Sequence, residues 1–483
     1  MKKSLLLLAV ASMAPSLFSQ TSPSATTGPL VTVAIRERTN ATQWFAATPT
    51  AEVYGHQDSL LRLSLTQRIR KVDYMLDLGQ SAELALPTDA VSPIAAQGQL
   101  GLGGTYYAAN NSNAYPAAAS FRQGFLRYHF HEDGGAARIG RFEFFEGQEM
   151  SAKAPSLRWL QTNRVAQRLV GNFGFSNGQR SFDGMDVKLG GAAWDVTAMA
   201  GRVTQGVFNT NANPELNVDI QYLSFSRYLN QHLLVRGFGV GYHDGRTGIT
   251  KTDNRTATAR ALDHTNIRIG TYGGDIVAAI PTGKTTVDFV LWGAGQSGRW
   301  GVLDHSAGAI AVEGGIKLNT VASMPWFRGG HFRSTGDDNP NDGKHNTFFQ
   351  MLPTPRVYAR DPFYNLMNST DTFVQMIDNP SKKIEIRSDL HFLQLTSKQD
   401  FWYQGGGAFD NKVFGYTGRP SNGNASFSSL FDISTDYAIT PQVSLTAYYA
   451  HAYGKTVIAT IYPRNRDSNY GYFELNYKFQ KHL

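Results

Sequence analysis

Phe473-Glu-Leu475-Asn-Tyr477-Lys-Phe479-Gln-Lys481-His-Leu483 closes this chain with an apolar residue at nearly every second position. A period of two places Leu475, Tyr477 and Phe479 on one face and Glu474, Asn476, Lys478 and Gln480 on the other, which predicts an amphipathic β-strand. The opposite end carries Lys2-Lys3, then Leu5-Leu6-Leu7-Leu8-Ala9-Val10, then Leu17-Phe18-Ser19. These are the positive, apolar and small-residue parts of an export signal. Its apolar run falls short of the roughly 20 residues a helix needs to cross a bilayer. The expectation is a cleaved signal peptide over 1–19, a flexible Thr/Ser-rich leader over 20–29 and a single domain over 30–483.

Period-two alternation recurs between these ends. Val72, Tyr74, Leu76 and Leu78 oppose Lys71, Asp73, Met75 and Asp77, and Leu61, Leu63 and Leu65 oppose Arg62, Ser64 and Thr66. Ile384, Ile386, Leu390 and Phe392 oppose Glu385, Arg387, Asp389 and His391. Charges sit in the middle of these windows as well as at their ends, as required where one strand face meets lipid and the other a water-filled bore. Beyond the signal there is no apolar run long enough for a membrane helix. The sequence has no cysteine, which excludes disulfides and thiol chemistry. The formal charge of +7 falls to +5 without Lys2 and Lys3. The fold expected is all-β: a transmembrane antiparallel β-barrel in the cell outer membrane, set among its lipid and lipopolysaccharide. Polar connections are expected at Gln99–Ala117, Asn209–Pro214, Gly245–Arg260, Thr335–Asn346 and Thr417–Ala425.

Three segments are more distinctive than generic strand and loop. They are Gly140-Arg141-Phe142-Glu143, the element Arg168-Leu-Val-Gly171…Arg180-Ser-Phe-Asp183-Gly184, and Gly336-Asp337-Asp338-Asn339…Asp342-Gly343…Thr347-Phe348. In these segments and their order the chain resembles the alginate export family of outer-membrane proteins. The resemblance implies a monomeric barrel of about 18 strands, in the size range of outer-membrane barrels. It also implies an arginine-lined constriction, an anionic, alginate-like polysaccharide as cargo, and periplasmic export partners. Guanidinium suits that cargo because it pairs with carboxylates through two parallel hydrogen bonds and keeps its charge.

Candidate path-lining residues follow. Arg62, Arg127 and Arg387 lie on polar strand faces. Arg138 and Arg141 have opposite parity about Gly140, so at most one points inward unless Gly140 is a bulge. Arg164, Arg168 and Arg180 sit in the family-like segment. The expected function is therefore an anion-selective pore passing anionic polysaccharide or oligosaccharide by passive, electrostatically guided diffusion. The alternatives are a general or sugar-uptake porin on the same fold, and a structural or adhesive barrel with a closed bore.

The acidic loop of Asp337, Asp338, Asn339 and Asp342 is read as structured, its side chains capping turns. Calcium at 337–343 is the lesser reading, because Phe348 stands where a calcium loop needs a bidentate Glu. No other cofactor or metal is expected. Gly174-Phe-Ser176-Asn-Gly178 matches a nucleophile elbow by letter only, without the strand and helix that motif needs, so no enzyme activity is expected. The high isoelectric point is assigned to the bore and not to nucleic acid.

Overall fold

A computed structural model describes residues 28–46, 52–131, 134–354 and 357–483. The signal peptide, and the leader up to residue 27, lie outside the described residues. Eighteen long antiparallel strands between Leu30 and His482 close into one barrel. Closure is made by the first strand, Leu30–Gln43, pairing with the last, Asp467–His482, from Leu30 opposite His482 to Gln43 opposite Asn469. Closure leaves no edge of the barrel sheet unpaired, which a lipid environment demands of any spanning strand.

The alternation predicted from sequence sets the two faces. Leu61, Leu63, Leu76 and Leu78 are exposed on the outer wall, while Arg62, Asp73, Asp77, Ser81 and Glu83 are buried inside. Tyr128, Phe130, Phe392, Tyr449 and Tyr477 are likewise exposed outward. One rim carries turns of two to seven residues, Arg70-Lys71 and Gln231-His232 among them, together with both ends of the barrel chain. The other rim carries the long connections 85–116, 143–181, 245–266, 335–368 and 396–425. By the usual asymmetry of such barrels this is the outer face.

Those connections do not stay at the rim. Residues 143–181 enter the bore as a helix, Pro155–Leu160, that widens into a π turn, Gln161–Val165. Residues 347–354 run beside them: Leu352 donates to the carbonyl of Leu169 at 2.8 Å, and Gly171 donates back to that of Leu352 at 2.8 Å. A hairpin, Phe401–Gly405 with Tyr416–Pro420, forms a separate small sheet. The expected connection Gln99–Ala117 holds a helix, Gly101–Ala109, and Thr417–Ala425 begins inside that hairpin. The apolar core follows from this arrangement and lies within the barrel. One cluster gathers Trp292, Phe348, Phe349, Leu352 and Tyr416, and another Phe45, Phe363, Trp402 and Phe427.

Close approach of 205–214 to the inner segment depends on Gly206. Its φ is +130°, and a Cβ there would meet the Gln179 carbonyl oxygen at 1.5 Å, so any side chain would break the Val207-to-Gln179 backbone bond of 3.0 Å.

Candidate functional site in the bore

Arg164 and Arg168 extend from the inner segment to one wall carboxylate, Glu313. Arg164 Nε lies 2.7 Å from Glu313 Oε2 and Arg168 Nη2 lies 3.2 Å from Oε1. Arg328, on strand Trp326–Ser334, adds a third guanidinium at 3.2 Å and reaches Asp288 at 3.0 Å. Arg168 also donates to the Tyr358 hydroxyl at 2.9 Å, and Arg164 stacks on Tyr358 and Phe373, each 4.6 Å from its ring centre. Burial pulls the Arg164 guanidinium down, but the Glu313 charge beside it outweighs that pull and holds it above its ordinary value. With no exposure on either partner, the inner segment is locked to the wall here.

Other arginines are neutralised in the same way. Arg62 pairs with Asp77 and with Glu143 at 3.0 Å. Arg38 bridges Asp58 at 3.2 Å and Glu474 at 2.8 Å. Arg236 meets Asp275 at 2.6 Å and Glu146 at 2.7 Å. These pairs brace the barrel and the segment within it, and losing one member would leave a buried charge uncompensated.

Four buried guanidinium groups, Arg36, Arg122, Arg180 and Arg419, differ, because the described residues give them carbonyl and amide acceptors in place of carboxylates. Arg36 donates to the carbonyls of Gly174 at 2.6 Å and Ser176 at 2.9 Å and to Asn177 Oδ1. Arg122 donates to the Gly178 carbonyl and to Gln179 Oε1 at 2.7 Å. Arg180 donates from Nη2 to the Gly406 carbonyl, while its Nε and Nη1 have no partner among the described residues. Burial lowers the Arg180 guanidinium to about 10, so it remains charged at neutral pH. Arginines of two wall strands, Leu30–Gln43 and Ala117–His131, thus grip the turn Gly174–Arg180, which carries a further one.

The remaining sequence candidates separate by location. Arg127 lies inside, with Asp73 at 3.8 Å. Arg138 is inside and pairs with Asp186 at 2.9 Å. Arg387 is inside, held by Asp389 at 2.8 Å and by the Tyr358 carbonyl at 2.7 Å. Arg141 is on the outer wall with Asp183 at 2.6 Å, because strand parity turns residues 139 and 141 outward once Arg138 and Phe142 face in. In the acidic loop, Asp337 accepts from the Asn339 amide at 3.1 Å and Asp342 from that of Lys344 at 2.9 Å, two turn caps. Asp338 and Asn339 are exposed, whereas Asp337 is buried against Asp400, which accepts its amide at 3.0 Å.

Sequence reasoning missed Arg36, Arg38, Arg122, Arg328 and Glu313. Arg36 and Arg38 alternate with Ile35 and Glu37 on the first strand, a signal open to the same parity argument as Arg62. Arg122 sits at a register shift where Arg122 and Gln123 are both buried, so no strict period could place it.

The alginate export family model matches residues 103–460. No curated protein matches the sequence. Among solved structures, OccAB2 of Acinetobacter baumannii superposes with a TM-score of 0.58 at 10% identity, covering 95% of this chain and 100% of its own. OpdK, an outer-membrane protein of Pseudomonas aeruginosa, gives 0.54 at 8% identity, covering 93% and 99%. At such identities these neighbours speak for the barrel alone.

Proposed function

Because this chain belongs to the alginate export family of outer-membrane barrel pores, we propose that it passes an anionic, uronate-type saccharide, guided by arginines that the closed bore holds in reserve. The observation carrying this reading is the set Arg36, Arg122 and Arg180, buried guanidinium groups inside the barrel that hydrogen-bond to carbonyl and amide oxygens and to no carboxylate among the described residues. Arg36 and Arg122 donate to carbonyl and amide oxygens of the inner segment, and Arg180, on that segment, to the Gly406 carbonyl; these oxygens occupy the donors as a saccharide carboxylate or hydroxyl would. Withdrawal of that segment exchanges one set of oxygens for the other. Passage then proceeds over many weak contacts, which favours movement over capture.

The inner segment is built to be displaced. Gln167, Phe173 and Gln179, together with Val207 against it, all have positive φ without being glycine. Each such residue costs roughly 1–2 kcal/mol, and strain of this kind collects at switch regions. Closure rests on the Glu313 cluster, while the strain and the uncompensated arginines favour release.

The test is the reversal potential of the purified barrel in a planar bilayer under a salt gradient. Anion selectivity in the wild type, reduced in Arg180→Ala and Arg122→Ala, supports the reading. A pore equally permeable to both ions refutes the electrostatic guidance and favours a general porin, and a bilayer that stays silent favours the closed structural barrel.

A further inference from the structure

On the inner wall near the long-loop rim, His56 and Asp58 of strand Val53–Ile69 face Glu83 of strand Val72–Leu84. All three are at least 98% buried. One ligand atom from each can be chosen so that the three lie within 4.8 Å of one another. The closest approach of a His56 nitrogen to Asp58 is 4.0 Å, too long for a hydrogen bond.

Neither nitrogen of His56 has a hydrogen-bond partner among the described residues, nor has Glu83 Oε2, nor the Tyr106 hydroxyl. The Tyr106 ring lies 6.0 Å from that of His56. Buried polar atoms are nearly always satisfied, so orphaned atoms on His56 and Glu83, two side chains that approach each other, mark a missing partner. A donor such as water would serve the carboxylate, but an imidazole lone pair and two carboxylate oxygens together make a set that binds a metal. Asp58 is already oriented by Arg38 and Asn40, the kind of outer support that fixes a ligand.

We infer that His56, Asp58 and Glu83 form a binding site for a divalent transition metal of the zinc class, inside the barrel wall. The ion ties two adjacent strands together beneath the helix Gly101–Ala109 and completes the coordination of groups that otherwise have none. Its ligands are other residues than the arginines gripping the turn Gly174–Arg180, although one of these, Arg36, lies nearby, and the site does not depend on what the pore carries.

The folded, detergent-solubilised full chain, stripped with EDTA, is titrated with zinc chloride and separately with cobalt chloride. One zinc per barrel is expected, with a raised melting temperature and a visible cobalt absorption band. His56→Ala and the near-isosteric Glu83→Gln should each weaken zinc binding at least tenfold and abolish the band, while His331→Ala, on the outer wall, leaves both unchanged. Heat-modifiable migration on a gel verifies that each variant is folded. A wild-type barrel that takes up no stoichiometric zinc overturns the inference whatever the variants do. So does a folded Glu83→Gln that binds zinc as the wild type does.

Discussion

Arg164, on the segment folded into the bore, and Glu313, on the barrel wall, meet at 2.7 Å with neither side chain exposed. Arg168 and Arg328 share the same carboxylate, so one wall residue is held in common by three cations, two of them on the inner segment, and ties that segment down. Glu313→Gln keeps the shape and removes the charge. Loss of one member of a buried ion pair costs about 3–5 kcal/mol. The segment should therefore release more readily, and single-channel recordings should show a clear rise in open probability. An unchanged open probability in a folded variant would remove Glu313 from the closure.

The strained backbone predicts the opposite effect elsewhere. Gln167 has φ +59°, its side-chain oxygen has no hydrogen-bond partner among the described residues, and its backbone still donates to Glu146 at 2.7 Å and accepts from Thr354 at 3.0 Å. Gln167→Gly keeps both backbone bonds and relieves the left-handed strain, a net gain of about 1 kcal/mol once glycine's entropy cost is deducted. A higher melting temperature and fewer openings are expected, measured by thermal unfolding and bilayer recording.

Acid should tighten the outer loop. Burial, reinforced in Asp337 by the charge of Asp400, raises the carboxyl of Asp337 to about 7 and that of Asp400 to about 6. Both folded values lie above the ordinary range, so between about pH 4 and 7 the docked loop binds more protons than the released one. Docking of 335–346 is thus most favourable below the ordinary carboxylate range, weakens as pH rises to 7, and changes little beyond. Proteolysis of the loop should be slower at pH 5 than at pH 8, and Asp337→Asn should remove most of that difference.

Arg141 supplies the contrasting case. It pairs with Asp183 on the outer wall, so Arg141→Ala should leave ion selectivity as it is in the wild type, measured by the same reversal potential. A selectivity loss matching that of Arg180→Ala would place Arg141 on the ion path.

Sequence periodicity reached the barrel because the lipid and the bore impose opposite chemistry on alternate residues, and Leu61/Arg62 or Leu76/Asp77 record that directly. Arg62, Arg127 and Arg387 were legible for the same reason. The choice between Arg138 and Arg141 was legible only as an exclusion, and the strand's own parity decides it. Arg164, Arg168 and Arg180 stood out through their family-like context alone, since they belong to a segment with no period. What escaped is what tertiary packing creates. The helix Gly101–Ala109 has a weak local signal and is held by burial. Glu313 is followed by Gly314 and Gly315, which erase the alternation around it. His56, Asp58 and Glu83 come together only through strand pairing, with Asp58 opposite Glu83.

The account turns on whether the reserved arginines meet the cargo. The most direct measurement is block of the open pore by a uronate oligosaccharide, recorded in planar bilayers on Glu313→Gln and on Glu313→Gln combined with Arg180→Ala. The account predicts reversible, voltage-dependent block that weakens at least tenfold when Arg180 is removed and is not matched by a neutral oligosaccharide of equal length. Block of equal strength with and without Arg180, or equal block by the neutral sugar, would contradict it.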